Sequence, residues 1–362
     1  MHGYIDSFPV PVHPPKSWLT AAGPSTTSKG KHKQPQQQSS SEDGTYNVTA
    51  NWTPAEKKSV QHRVEMAARL GYSTVVLVIH ITPTTNPSTL VFPTPLMPEL
   101  DPRTASSSDQ PANTTGLVLQ LWRIHVGEYS DSHIKSASVK GHYGFSNSTA
   151  SLFPPQTSIL SVTPTSVTSF SHVCLSLSAP SPFSPTIVSI DPSLNTRLPF
   201  PLKRGLVSTL LRSGLCIEIV YRGIVKQEEA GSTSTAATRR RNWISGAREI
   251  VRALGGSNIV LSSGAESSFE MRASQDLINL CTLIGLTPVQ AKNALTSTPR
   301  DAIMRGLAMR QTHKGVISNP SLVVTSTTTQ PADPELANGG TRKRRESHPA
   351  QIEAASSKKR KT

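Results

Sequence analysis

Residues 215–221 read LCIEIVY, residues 241–254 read RNWISGAREIVRAL, and residues 258–262 read NIVLS. The outer two are short β-branched apolar runs, the pattern of buried strands. The middle one is an amphipathic helix pattern. Trp243, Ile244, Ala247, Ile250, Val251 and Leu254 recur at three- and four-residue spacing and form its predicted buried stripe. Gly255-Gly256 ends it, and residues 228–238 before it read as a small polar loop. A strand, a helix and a strand in succession predict two parallel strands joined by a crossover helix.

The same alternation extends in both directions. Towards the amino terminus, apolar runs at 4–12, 73–81 (STVVLVIHI), 116–126 (GLVLQLWRIHV), 158–162 and 186–190 predict further strands. Helical patterns lie at 53–70, 167–177 and 207–212. The first of these opens on Thr53-Pro54-Ala55-Glu56, an N-cap followed by Pro and an acidic residue in the first turn. Towards the carboxyl terminus, three short helices are predicted from Ser274, Thr287 and Thr298, the last two with Thr at the cap and Pro after it. About seven strands with intervening helices predict an α/β fold, a distorted (β/α) TIM-like barrel. An open doubly wound sheet is the alternative arrangement of the same elements.

Composition limits the folded part. Hydrophobic residues make up 35% of the 362 residues, below the roughly 45–50% of a soluble domain. The polar residues cluster. One barrel domain over 1–312 is therefore expected, interrupted by disordered insertions near 22–48, 83–115 and 127–156, with a disordered basic tail over 313–362. Cys174, Cys216 and Cys281 all sit within apolar runs, far apart in sequence. They read as buried small hydrophobes rather than disulfide or zinc ligands. The first residues carry no signal-peptide pattern, so a reducing compartment is expected. No apolar run reaches the roughly eighteen residues that span a bilayer, so no membrane partner is expected.

The formal net charge is +14. Residues 201–312 alone carry fifteen basic and eight acidic groups, so the excess belongs to the folded part as well as the tail. Such a surplus attracts polyanions, nucleic acid above all. Arg239, Arg240 and Arg241 precede the helix described above, and Arg241, Ser245, Arg248 and Arg252 share its polar face. Arginines beside free amides at a helix start suit phosphate. Lys203-Arg204 and Arg272 are further candidates. No aromatic ladder accompanies them, so shape and backbone recognition is expected rather than base stacking on a sheet. In the tail, Arg342-Lys343-Arg344-Arg345 and Lys358-Lys359-Arg360-Lys361 form two basic clusters of the bipartite nuclear-import type, which a non-specific RNA-contacting tail also matches.

Catalytic patterns are missing. The chain has no H-x-H or H-x-x-x-H, no C-x-x-C, no P-loop and no G-x-S-x-G elbow. Asp191 ends a strand, where barrel enzymes place their chemistry. Within IDPS (190–193) it also fits a turn, and no second ligand set accompanies it. Glu218, inside a strand, is expected to pair with a barrel cation.

Four consecutive blocks now carry a resemblance. They are SILSVTPTSVTSFSHVC (158–174), TIVSIDPSLNTRLPFPLKRGLVSTLLRSGLCIEIVY (186–221), RRRNWISGAREIVRALGGSNIVLSSGAES (239–267) and FEMRASQDLINLCTLIGLTPVQAKNALTSTPRDAI (269–303). In this order they resemble the thirty-kilodalton protein subunit shared by eukaryotic and archaeal ribonuclease P and by ribonuclease MRP. YIDSFPVPV (4–12) and RLGYSTVVLVIH (69–80) match more loosely. The resemblance implies a barrel of the PHP type. It implies a non-catalytic subunit that supports the RNA of ribonuclease P in removing the 5′ leader of precursor tRNA, and of MRP in ribosomal RNA processing. Its implied partners are that RNA, the other protein subunits and, indirectly, precursor tRNA. Its implied location is the nucleus and nucleolus. Its implied RNA contacts fall on Lys203, Arg204, Arg239, Arg240, Arg241 and Arg272, beside Arg248 from the helix pattern. PHP phosphoesterases, which share the fold, hold metal with paired histidines that this sequence lacks. No metal, cofactor or catalytic residue is therefore expected. A metal-dependent phosphoesterase and a scaffold that does not bind RNA are the alternatives.

Overall fold

A computed structural model describes residues 3–13, 45–82, 85–104, 116–136, 145, 153–226, 235–313 and 317–318. Seven strands form one parallel sheet in chain order: β1 (Tyr4–Pro9), β2 (Tyr72–Ile81), β3 (Leu119–Tyr129), β4 (Thr157–Pro164), β5 (Ile187–Ile190), β6 (Cys216–Val220) and β7 (Ile259–Ser262). The helices are α1 (Pro54–Arg69), α2 (Asp131–Ser136), α3 (Val167–Leu175), α4 (Arg204–Ser213), α5 (Arg222–Val225), α6 (Ala236–Leu254), α7 (Ser274–Leu283), α8 (Pro288–Leu295) and α9 (Ser297–Gln311). The sheet curls into a nearly closed barrel, so the open-sheet alternative does not hold.

The seam lies between the first and last strands. Gly264 N donates to Ser7 O at 3.0 Å, and Ser263 N donates to Asp6 Oδ1 at 2.8 Å. Arg63 of α1 clamps both edges, with Nη1 donating to Pro9 O at 2.6 Å and to Ala265 O at 2.7 Å. Its guanidinium also lies 4.9 Å from the centre of the Phe8 ring.

Alternation along the strands sends every second side chain inward. At the amino-terminal end these are apolar: Ile5, Val76, Ile159, Ile187, Cys216 and Val260. Ala302 and Ile303 of α9 pack on them, so this helix plugs that end of the barrel. Gly306 makes the approach possible, because a Cβ there would lie 2.5 Å from Ser158 O. Backbone cannot move aside as a flexible side chain can. Gly306→Ala is therefore expected to cost about 1–3 kcal/mol by overpacking, read as a lower urea midpoint at unchanged m-value. The outer face of the sheet carries the larger core, where Trp122, Trp243, Phe170 and Phe200 are fully buried beneath the helices.

Two expectations differ from the structure. Ile244 does not join the buried stripe of α6 and is 41% exposed; Asn242, Trp243, Gly246, Ala247, Ile250, Val251 and Leu254 are buried. The stripe is centred on Trp243 and Ala247, which turns Ile244 outward. The helix also starts earlier, at Ala236, because the Thr235 hydroxyl caps it by accepting from Thr238 N. Secondly, segments read as insertions are partly ordered: Tyr46–Asn47 forms a short strand, Leu119–Tyr129 and Asp131–Ser136 carry strand and helix past residue 127, and residues 85–104 are packed. Leu90 and Val91 pair with Tyr46 and Asn47. The Phe92 ring lies 4.8 Å from that of Trp122, and Trp122 Nε1 donates to Pro93 O. The apolar residues here are scattered among prolines without a period, so pattern alone does not reveal them. Residues 14–44, 105–115, 137–144 and 146–152, and both basic clusters of the tail, lie outside the described residues.

Candidate functional site

At mid-height, charge replaces the apolar lining. Arg123 of β3 and Glu218 of β6 face each other across the barrel, with Nη1–Oε1 at 2.7 Å and Nη2–Oε2 at 2.6 Å. Both side chains are almost fully buried. Arg123 Nε also donates to Ser161 Oγ at 2.6 Å, and Ser7 Oγ donates to Glu218 Oε1 at 2.7 Å. Burial alone would raise the Glu218 pKa. The Arg123 guanidinium and the hydroxyl donors outweigh it and hold the carboxyl well below the carboxylate range. Glu218 thus has its barrel cation, and that cation is Arg123.

Above this pair a cavity of about 390 Å³ opens at the carboxyl ends of the strands. His125 Nδ1 lies 2.8 Å from Ser161 Oγ and its Nε2 lies 3.1 Å from Thr163 Oγ1. Thr163 Oγ1 in turn donates to Ser189 O. Because the Thr163 hydroxyl gives its proton to Ser189 O, it accepts from His125, which assigns the ring proton to Nε2 and leaves Nδ1 to accept from Ser161 Oγ. The His80 ring lies 4.7 Å from that of His125, centre to centre. The two histidines are register partners on β2 and β3. Sequence spacing concealed the pair; the signal was an Ile-His step near the end of two consecutive strand patterns.

Burial, then the neighbouring His80 ring and Arg123, push the His125 pKa well below the usual histidine value. Burial, then Arg123, lower His80 to about 4. A folded-state pKa below the unfolded value means that the native state binds fewer protons between the two. The stability that the buried His125 ring contributes is present above about pH 6.5 and is lost as pH falls below it. Asp6 acts oppositely: burial raises it to about 6, so its contribution is lost as pH rises from about 4 to 6. The variant His125→Gln should remove one histidine's share, up to about 1.4 kcal/mol per pH unit. Denaturation curves at several pH values would show it; equal slopes in both proteins would refute it.

Asp191 Oδ1 accepts from Ser193 N at 2.9 Å and from Ser193 Oγ at 2.6 Å, the turn role. Among the described residues no set of three His, Cys, Asp or Glu side chains converges as a metal site.

Most of the basic candidates also lie at this end of the barrel, on the connections that follow β5, β6 and β7. Lys203 and Arg204 are exposed where α4 begins. Arg239, Arg240 and Arg241 lie in the second turn of α6 rather than ahead of the helix as the sequence pattern suggests, because the helix already begins at Ala236. Arg239 Nη2 donates to Lys226 O and Arg240 Nε to Ile224 O. Arg272 is exposed, with Nη1 donating to Phe269 O and Met271 O. Carbonyl acceptors orient the guanidiniums of Arg239, Arg240 and Arg272. Arg248 is set apart. It lies about 10 Å further along α6, reaches Leu283 O, and lines a separate groove with Arg252 and Gln290.

The family described as RNase P subunit p30 matches residues 44–311, from the segment before α1 to the end of α9. The chain belongs to the RNase P subunit p30 family. Ribonuclease P protein subunit p30 of Mus musculus is 34% identical over 126 residues, 35% of this chain and 43% of that protein. Ribonuclease P protein subunit drpp30 of Dictyostelium discoideum is 31% identical over 165 residues, 46% of this chain and 40% of that one. A chain in the cryo-EM structure of archaeal ribonuclease P with mature tRNA superimposes with a TM-score of 0.45 at 12% identity, covering 70% of this chain and 89% of that one. The p30-family chain spans between about a quarter and a half of the length of the curated relatives it matches.

Proposed function

We propose that the chain is a non-catalytic protein subunit of a ribonuclease P particle. It supports the RNA that removes the 5′ leader from precursor tRNA, and it docks with other protein subunits. The observation that carries this reading is the p30-family match over residues 44–311. The basic residues on the connections after β5, β6 and β7 supply the RNA contacts: Lys203, Arg204, Arg239, Arg240, Arg241 and Arg272, with Arg248 as an outlying contact. The same chain serves the ribonuclease MRP particle in ribosomal RNA processing and resides in the nucleus and nucleolus. Affinity purification of the full chain followed by sequencing of the co-purified RNA tests the reading. Recovery of a ribonuclease P or MRP RNA is expected; its absence, with purified protein showing divalent-ion-dependent phosphatase activity, would transfer support to the phosphoesterase alternative.

Nuclear import is assigned to Arg342, Lys343, Arg344, Arg345, Lys358, Lys359, Arg360 and Lys361, on their spacing in the sequence. Deleting residues 341–362 should shift a fluorescently tagged chain from nucleus to cytoplasm. Undiminished nuclear accumulation in cells lacking the untagged partner subunits would count against the assignment.

A further inference from the structure

We propose that the mouth of the barrel is a pocket for a single uncharged heterocycle, and that its occupant is an unpaired nucleobase of RNA. The identity of the occupant rests on the RNA-subunit reading above; the pocket itself rests on geometry. Its volume of about 390 Å³ falls in the roughly 300–1,000 Å³ range of small-molecule sites. It lies at the carboxyl ends of the strands, where barrels place their ligands.

The lining selects the chemistry. Two cations reach the cavity, and each has an acidic partner: Arg123 holds Glu218, and Arg222 holds Glu266 and, at 3.6 Å, Glu270. Neither is left over for a phosphate. One further acid, Asp191, lines the cavity and accepts from Ser193; the other polar groups are neutral. The His80 ring is open to the cavity and uncharged near neutral pH. The Ser262 side chain is buried, its residue 2% exposed, and its hydroxyl has no hydrogen-bond partner among the described residues. A buried hydroxyl without a partner carries a desolvation cost that a ligand's donor or acceptor would relieve. Val78, Val220 and Leu194 add apolar wall. Apolar walls, a free imidazole face and an unsatisfied hydroxyl suit a flat heteroaromatic ring, and they suit an anion or a metal ion poorly.

The surroundings explain why that ring belongs to RNA. The basic side chains on the connections after β5, β6 and β7 would follow a phosphodiester backbone around the rim while one base turns inward. Proteins read unpaired RNA by capturing splayed bases in this way. Leu194 and Phe269, 71% and 86% exposed, offer apolar surface at the same end.

The test is a titration of the full chain with adenosine, guanosine, cytidine and uridine, followed through the histidine ring signals by NMR. Ribose 5-phosphate is the control ligand. At least one nucleoside should shift the His80 and His125 signals saturably, and ribose 5-phosphate should not. Ser262→Ala removes the hydroxyl without adding bulk and should weaken that nucleoside by roughly three- to tenfold. His80→Ala, on the open side of the cavity, should weaken it as well. The proposal is overturned if no nucleoside moves these signals, if ribose 5-phosphate moves them equally, or if both variants bind as the parent does. RNA co-purification separates this from the subunit reading. A chain that captures ribonuclease P RNA but no nucleoside loses only the pocket. One that binds nucleoside but no RNA keeps the pocket and loses the subunit role.

Discussion

Replacing Arg123 with methionine should lower the unfolding free energy by about 3–5 kcal/mol, because it strands a buried carboxylate. Glu218 sits in the barrel interior among hydroxyls and one guanidinium. Removing the guanidinium leaves the burial cost uncompensated, and the carboxyl must take up a proton or admit water. Glu218→Leu alone should be similarly damaging, since it strands the cation instead. The double variant Arg123→Met/Glu218→Leu should cost much less than the two singles together, since nonpolar groups of similar volume replace a buried pair at little net loss. Urea unfolding of the four proteins measures this. Strict additivity, or a single-variant loss below about 1 kcal/mol, would mean that the pair is not the coupled unit its geometry implies.

Reversing Arg239, Arg240 and Arg241 to glutamate should abolish most of the chain's RNA affinity near physiological salt. These side chains lie in the second turn of α6, where Arg240 and Arg241 are exposed and carbonyl groups orient Arg239 and Arg240. Each phosphate contact contributes about 0.7–0.9 to the slope of log K against log salt. Losing three should therefore flatten that slope by about two to three. Filter binding across a salt series provides both numbers. An unchanged slope would move RNA contact away from this end of the barrel. The same test on Arg248→Glu, which lies apart from the others, shows whether the groove beside α7 touches RNA independently.

How much of this was legible beforehand depended on the range of the interaction. Strands and helices follow from local period, and all seven barrel strands were anticipated within a few residues, as were the Thr53 cap and the Gly255 stop. Burial of the three cysteines was legible for the same reason, since each lies in an apolar run. The interior was not. Arg123 and Glu218 are separated by 95 residues and His80 and His125 by 45, and only strand register brings each pair together. Residues 85–104 failed for another reason: their apolar side chains fill gaps outside the sheet at no fixed period. Ile244 shows the limit of a helical wheel, which gives a stripe's width but not its centre.

The seam between β1 and β7 also has a consequence for biosynthesis. The segments it joins, around Asp6 and Ser263, are 257 residues apart. During translation the first strand therefore leaves the ribosome long before its second neighbour exists. Its free edge, and that of every sheet intermediate, must stay unpaired until the segment after β7 has emerged. Loop closure over such a span is slow. Until then the open rim can pair with other chains, and truncated products lacking the last third should be cleared as unfinished barrels rather than persist as smaller folded ones.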